Sequence, residues 1–126
     1  MVNSIVSALM VTHRHESDAN ELSEYLAGHS CDLVIANDWG ESIQIAQHRK
    51  FNVIILDTKV KGMDITNAIH IFRNIDPQIK IIVKTDSSSK QLESQIRQEK
   101  IFYYHINSFD NDDLKLAVQS AIQLSS

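Results

Sequence analysis

Short apolar runs recur along the chain at regular intervals. Ile5 to Val11 reads IVSALMV, Leu33 to Ala36 LVIA, Val53 to Leu56 VIIL, Ile79 to Val83 IKIIV and Ile101 to Ile106 IFYYHI. Each is four to seven residues long and rich in β-branched or aromatic types, as expected of strands covered on both faces. Helical patterns lie between them. Residues 18–28 place Leu22, Tyr25 and Leu26 on one stripe, 39–49 carry Ile43 and Ala46, and 65–74 space Ile65, Ala68, Ile69 and Phe72 at i, i+3, i+4, i+7. Residues 89–99 carry Leu92 and Ile96, and 111–123 align Leu114, Ala117, Val118, Ala121 and Ile122. Asp18 with Glu21, and Asp38 with Glu41, have capping-box spacing. Asp64 is placed to cap the third helix, and Pro77 ends it because proline cannot continue the ladder.

The pattern predicts one domain over residues 1–126, an α/β fold of the (βα)5 kind. Right-handed crossovers put helices on both faces of a parallel five-stranded sheet, a three-layer sandwich for which the flavodoxin-like order 2-1-3-4-5 is the one expected. In such sheets function gathers at the carboxyl ends of the strands. Those ends carry Thr12, His13, Arg14 and His15 after the first strand and Asp57 after the third. Thr85 and Asp86 follow the fourth, Asn107 and Ser108 the fifth.

The segment Asp57-Thr58-Lys59-Val60-Lys61-Gly62-Met63-Asp64 resembles the signature around the phosphorylated aspartate of response-regulator receiver domains. Val60, Met63 and Asp64 match it; Lys61 stands where proline is usual and Ile65 where glycine is frequent. Thr85 resembles the family's switch hydroxyl and Tyr104 its switch aromatic, with Phe109 matching a further aromatic. The resemblance spans essentially the whole chain and implies a two-component signalling module with Asp57 as the phospho-acceptor equivalent. It implies a divalent cation held by acids after the first strand, by Asp57 and by the Lys59 backbone carbonyl, with a lysine after the fifth strand as a second positive clamp.

Two parts of that pattern are absent. The acidic pair falls in the slot of Thr12, His13 and Arg14, where no carboxylate stands, and the lysine slot holds Asn107. Mg²⁺ affinity is therefore expected to be weak, because this hard cation depends on carboxylate oxygens. Arg14, Lys59, Lys61 and Lys84 are candidates to compensate. The preferred reading is an atypical receiver, a pseudo-receiver that signals by protein–protein interaction with weak or absent phosphorylation at Asp57. The alternative is a receiver still phosphorylated there by a histidine kinase. A small flavodoxin-like ligand-binding protein is a third reading, weakened by the lack of a glycine-rich phosphate loop after the first strand. No enzymatic turnover is expected.

The resemblance implies a histidine kinase or another signalling protein as partner. It also implies a homodimer surface on the face of the fourth helix, fifth strand and fifth helix, where Tyr104 is expected. Lys90, Glu93, Arg97, Asp110, Asp112, Asp113 and Lys115 give that side mixed charge. A formal charge of -4 argues against a nucleic-acid surface driven by bulk charge. No apolar run reaches the roughly 20 residues that span a bilayer. With a lone cysteine and no evident signal segment, a cytoplasmic location is expected. His13 and His15 have a spacing compatible with a transition metal but read more simply as loop histidines. Cys31 reads as an inert thiol, Trp39 as a packing residue, and Ser87, Ser88 and Ser89 as the loop and cap before the fourth helix.

Overall fold

The computed structural model describes residues 6–12, 17–86, 89–106 and 111–125. Five strands and five helices alternate: β1 (Val6–Val11), α1 (Ser17–Ala27), β2 (Cys31–Ala36), α2 (Trp39–His48), β3 (Val53–Asp57), α3 (Ile65–Ile75), β4 (Lys80–Thr85), α4 (Lys90–Arg97), β5 (Tyr103–Ile106) and α5 (Asn111–Ser125). All strand pairs are parallel and the sheet order is β2-β1-β3-β4-β5. This is the expected (βα)5 topology.

The period-2 alternation of side chains divides the core in two. Leu9, Val11, Ile54, Leu56, Ile81 and Val83 face one side, where they meet Ile65, Ala68, Ile69 and Phe72 of α3 and Ile96 of α4. Ala8, Met10, Val53, Ile55 and Ile82 face the other, where Leu22 and Leu26 of α1 and Leu114, Val118 and Ala121 of α5 cover them. Each fully buried aliphatic side chain contributes about 1.5–3 kcal/mol. Both faces are covered by helices, so the strands read as nearly unbroken apolar runs.

The helix ends follow local chemistry. Asp38 caps α2, its side chain accepting from the Glu41 amide at 2.7 Å. The reciprocal arm is shifted by one residue, since Glu41 Oε1 accepts from the Asn37 amide at 2.9 Å. Ser89 caps α4, accepting from the Leu92 amide at 3.0 Å. Asp64 occupies the cap position of α3 but its side chain makes no cap bond, a departure from the expectation. Helix α1 begins at Ser17, so Asp18 lies within its first turn. Helix α3 stops at Ile75, two residues ahead of Pro77. The fifth strand is shorter than its apolar run, beginning at Tyr103.

Candidate functional site

Asp57 is the last residue of β3. It follows the parity of Val53 and Ile55, so its carboxylate points to the α1–α5 side and is fully buried. Oδ1 accepts from the backbone amide of Lys59 at 2.9 Å. Oδ2 accepts from the Thr12 hydroxyl at 3.0 Å and from Lys84 Nζ at 3.3 Å. The Asp57–Lys84 ion pair has no exposed side-chain surface on either partner.

Sheet register explains the pair. Asp57 lies opposite Lys84, and Lys84 lies opposite His105. Thr12 joins from the end of β1, where its amide extends the ladder by donating to the Ala36 carbonyl at 3.0 Å. Thr12, Asp57, Lys84 and His105 thus form a polar row across the carboxyl edge of the sheet, each at most 2% exposed. Buried charges of this kind persist only when paired and hydrogen-bonded.

The next residues continue the pairing between β3 and β4. The Thr58 hydroxyl donates to Thr85 Oγ1 at 2.8 Å, and Lys59 Nζ pairs with Asp86 Oδ2 at 3.0 Å. Asp57, Thr58 and Lys59 therefore meet Lys84, Thr85 and Asp86 rung by rung. The Lys59–Asp86 rung is partly solvated and worth at most about 1 kcal/mol. An open cleft of about 390 Å³ lies beside this edge, bordered by Thr58, Lys59, Met63, Asp64, Thr85 and Asp86. Two larger clefts, about 420 and 540 Å³, sit at the opposite edge and touch none of these residues.

Several expectations are met. Asp57 and Thr85 share one edge of the sheet. Trp39 packs in the core at 4% exposure and its Nε1 donates to the Val60 carbonyl at 3.2 Å. That ties α2 to the loop that follows Asp57. Cys31 is buried at the far edge; burial, aided by the adjacent Asp32 carboxylate, pushes its thiol up to about 11, so it stays protonated near neutrality.

One expectation is corrected. Tyr104 is not a surface aromatic: it is 6% exposed and packs with the α2–α3–α4 side of the core, with the Arg97 guanidinium 5.6 Å from its ring centre. Tyr103 takes the opposite face, as strand alternation requires. Asn107, His13, Arg14, His15, Ser87, Ser88, Ser108, Phe109 and Asp110 lie outside the described residues.

The site residue that sequence reasoning left unplaced is Lys84, with His105 beside it. The signal was present: in IIVKT the lysine interrupts an apolar strand at the position in register with the acid of β3. A lysine inside a buried strand needs an anionic neighbour.

A divalent cation fits these residues poorly. Among the described residues there is no group of three or more His, Cys, Asp or Glu able to hold a metal. Both Asp57 oxygens accept from protein donors, one of them an ammonium. Replacing the Thr12 hydroxyl by a methyl, Thr12→Val, should lower stability by about 1.5–3 kcal/mol, the usual worth of a hydrogen bond to a charged group. The check is a fall in the urea midpoint at unchanged slope.

No known sequence family matches the chain, and no curated protein does. Solved structures match its fold. A CheY-like response regulator receiver domain protein from Methanospirillum hungatei JF-1 superposes with TM-score 0.84 at 18% identity, covering 97% of both chains. The beryllofluoride-activated NtrC4 receiver domain dimer gives 0.84 at 22% identity, covering 95% of this chain and 98% of that one. A response regulator from Burkholderia pseudomallei with a phosphorylated aspartic acid, calcium ion and citrate gives 0.77 at 19% identity, covering 94% and 69%. The chain has the fold of these receiver domains.

Proposed function

We propose that this chain is an atypical two-component receiver that signals through protein–protein contact, with phosphorylation at Asp57 weak or absent. One observation carries the reading. The Asp57 carboxylate is fully buried and both of its oxygens accept from protein donors. An incoming phosphoryl group would have to displace those donors and, without an acidic pair at Thr12, His13 and Arg14, do so with little help from a metal. In this reading Thr85 is the switch-hydroxyl equivalent, already engaged by Thr58. Tyr104 is the switch-aromatic equivalent in its inward position, and Asn107 takes the lysine slot. The partner is a histidine kinase or another signalling protein. The α4–β5–α5 face is the proposed surface for a second copy, supported by the dimer among the structural neighbours. The role requires no catalytic turnover, no direct nucleic-acid contact and no membrane, and suits a cytoplasmic location.

The alternative, a receiver phosphorylated at Asp57 by a histidine kinase, draws on one observation. Lys84 supplies, from β4, the positive charge that Asn107 lacks. A phosphorylated aspartate in one structural neighbour keeps this alternative concrete.

Incubation with acetyl phosphate and Mg²⁺, followed by intact-mass measurement, separates the two. The expected result is no stoichiometric adduct and no Mg²⁺-dependent change in Trp39 fluorescence. Trp39 is a suitable reporter because its indole is bonded to the loop after Asp57. A stoichiometric adduct that disappears in Asp57→Asn would replace the first reading by the second. A co-purifying flavin or nucleotide would favour the ligand-binding reading instead.

A further inference from the structure

We propose that the Lys84 ammonium is a built-in counter-ion standing in the electrostatic place of a divalent cation at Asp57, so that the fold itself neutralises the carboxylate and keeps Mg²⁺ out. The inference deepens the reading above and rests on it for its signalling meaning. Its test uses no phosphodonor, so the two fail separately.

The argument begins with strand geometry. Side chains at register-paired positions on neighbouring strands share a face and lie within reach of each other. Asp57 and Lys84 occupy such positions and point to the α1–α5 side. Lys84 has no exposed surface, so its stem does not carry the ammonium to water, as lysine stems ordinarily do. Its Nζ lies 3.3 Å from Asp57 Oδ2. Taking either ion out of water alone is very costly; together, with the Thr12 hydroxyl and the Lys59 amide completing the carboxylate's bonds, they are tolerated.

The same contact works against a metal. Mg²⁺ demands a near-octahedral set of oxygens at short range. At Asp57 a cation would meet an ammonium bonded to the same carboxylate, in a setting where burial weakens screening. The Thr58–Thr85 and Lys59–Asp86 rungs join the residues that follow each partner, so the ion pair is the innermost of three links between the ends of β3 and β4.

The sign of one substitution separates this arrangement from a metal-binding acid pocket. Where a carboxylate sits among other acids awaiting a cation, Asp→Asn relieves repulsion and stabilises. Here Asp57→Asn takes from a buried ammonium its carboxylate partner, and Lys84→Met takes from a buried carboxylate its cation. Thermal unfolding of the full chain is compared for the protein, each single variant and the double variant, in EDTA and in excess MgCl2. Each single variant is expected to lower Tm by on the order of 10 °C. The double variant should be more stable than either single one, because it removes both charges together. Mg²⁺ should not shift Tm of the unsubstituted protein. Additive losses in the double variant, an Asp57→Asn protein more stable than its parent, or a rise in parental Tm with Mg²⁺ would each overturn the proposal. If Lys84→Met does not fold, the sign for Asp57→Asn and the parental Mg²⁺ response still decide it. A phosphoryl adduct formed equally with and without Mg²⁺ would sink the preferred functional reading yet leave this counter-ion standing.

Discussion

Phe72→Ala is expected to lower stability by about 3–5 kcal/mol, the range for truncating a buried aromatic. Phe72 is the largest fully buried apolar side chain, at 1% exposure, and sits on the stripe of α3 with Ile65, Ala68 and Ile69. That stripe covers Leu9, Ile54, Leu56 and Ile81 of the sheet. The truncation leaves a cavity that close-packed neighbours fill only in part. Since domains of ordinary size are stable by about 5–15 kcal/mol, this one change removes a large fraction of the total. Urea unfolding followed by circular dichroism checks it. A loss under about 1 kcal/mol would mean that α3 does not pack on the sheet as described, and with it the placement of the loop from Asp57 to Asp64 would fail.

Trp39→Ala is expected to cost a similar amount, about 3–5 kcal/mol, and to act on the site as well as the core. The indole is buried at 4% exposure and bonded through Nε1 to the Val60 carbonyl. Val60 in turn donates its amide to the Asp57 carbonyl at 3.2 Å. Gly62, two residues on, holds φ at +107°, which side chains rarely adopt, and a Cβ there would come within 3.9 Å of the Trp39 ring. The loop after Asp57 thus depends on one aromatic anchor and one turn that glycine adopts readily and other residues do not. Amide hydrogen exchange over residues 58–63 should quicken in Trp39→Ala beyond the change over β1, which lies next to β3 but not against this loop. Trp39→Phe should keep most of the packing and lose mainly the indole bond, about 1–3 kcal/mol for the carbonyl left without it. Equal acceleration across the sheet would show that Trp39 acts only through global stability.

The alternation of apolar runs and helical stripes was enough to derive the order of elements and the parallel sheet, while the strand order 2-1-3-4-5 was expected alongside the resemblance to receiver domains. That is because each strand here is buried on both faces and each helix on one, and burial writes itself directly into hydrophobic period. The cap at Asp38, the packing of Trp39 and the inert Cys31 were legible for a similar reason: each depends on local spacing or residue type. The meeting of Asp57 and Thr85 at one edge was legible too, since every parallel strand of an α/β sheet ends on the same side.

Which cation serves Asp57 was not legible. Sequence places Arg14, Lys59, Lys61 and Lys84 all within range, and composition cannot choose among them. Among the described residues the choice falls to Lys84 because β3 and β4 pair in a register that sets it opposite Asp57, on the face closed by α1 and α5. Lys59, two residues beyond Asp57, turns outward to Asp86 instead. Register between strands separated by 27 positions is a property of the packed sheet, as is the inward position of Tyr104. The chain alone specifies the order of strands and helices and their main apolar stripes; only the assembled sheet decides which buried charges touch, because an ion pair is fixed by a distance of a few ångströms that no spacing along the chain encodes.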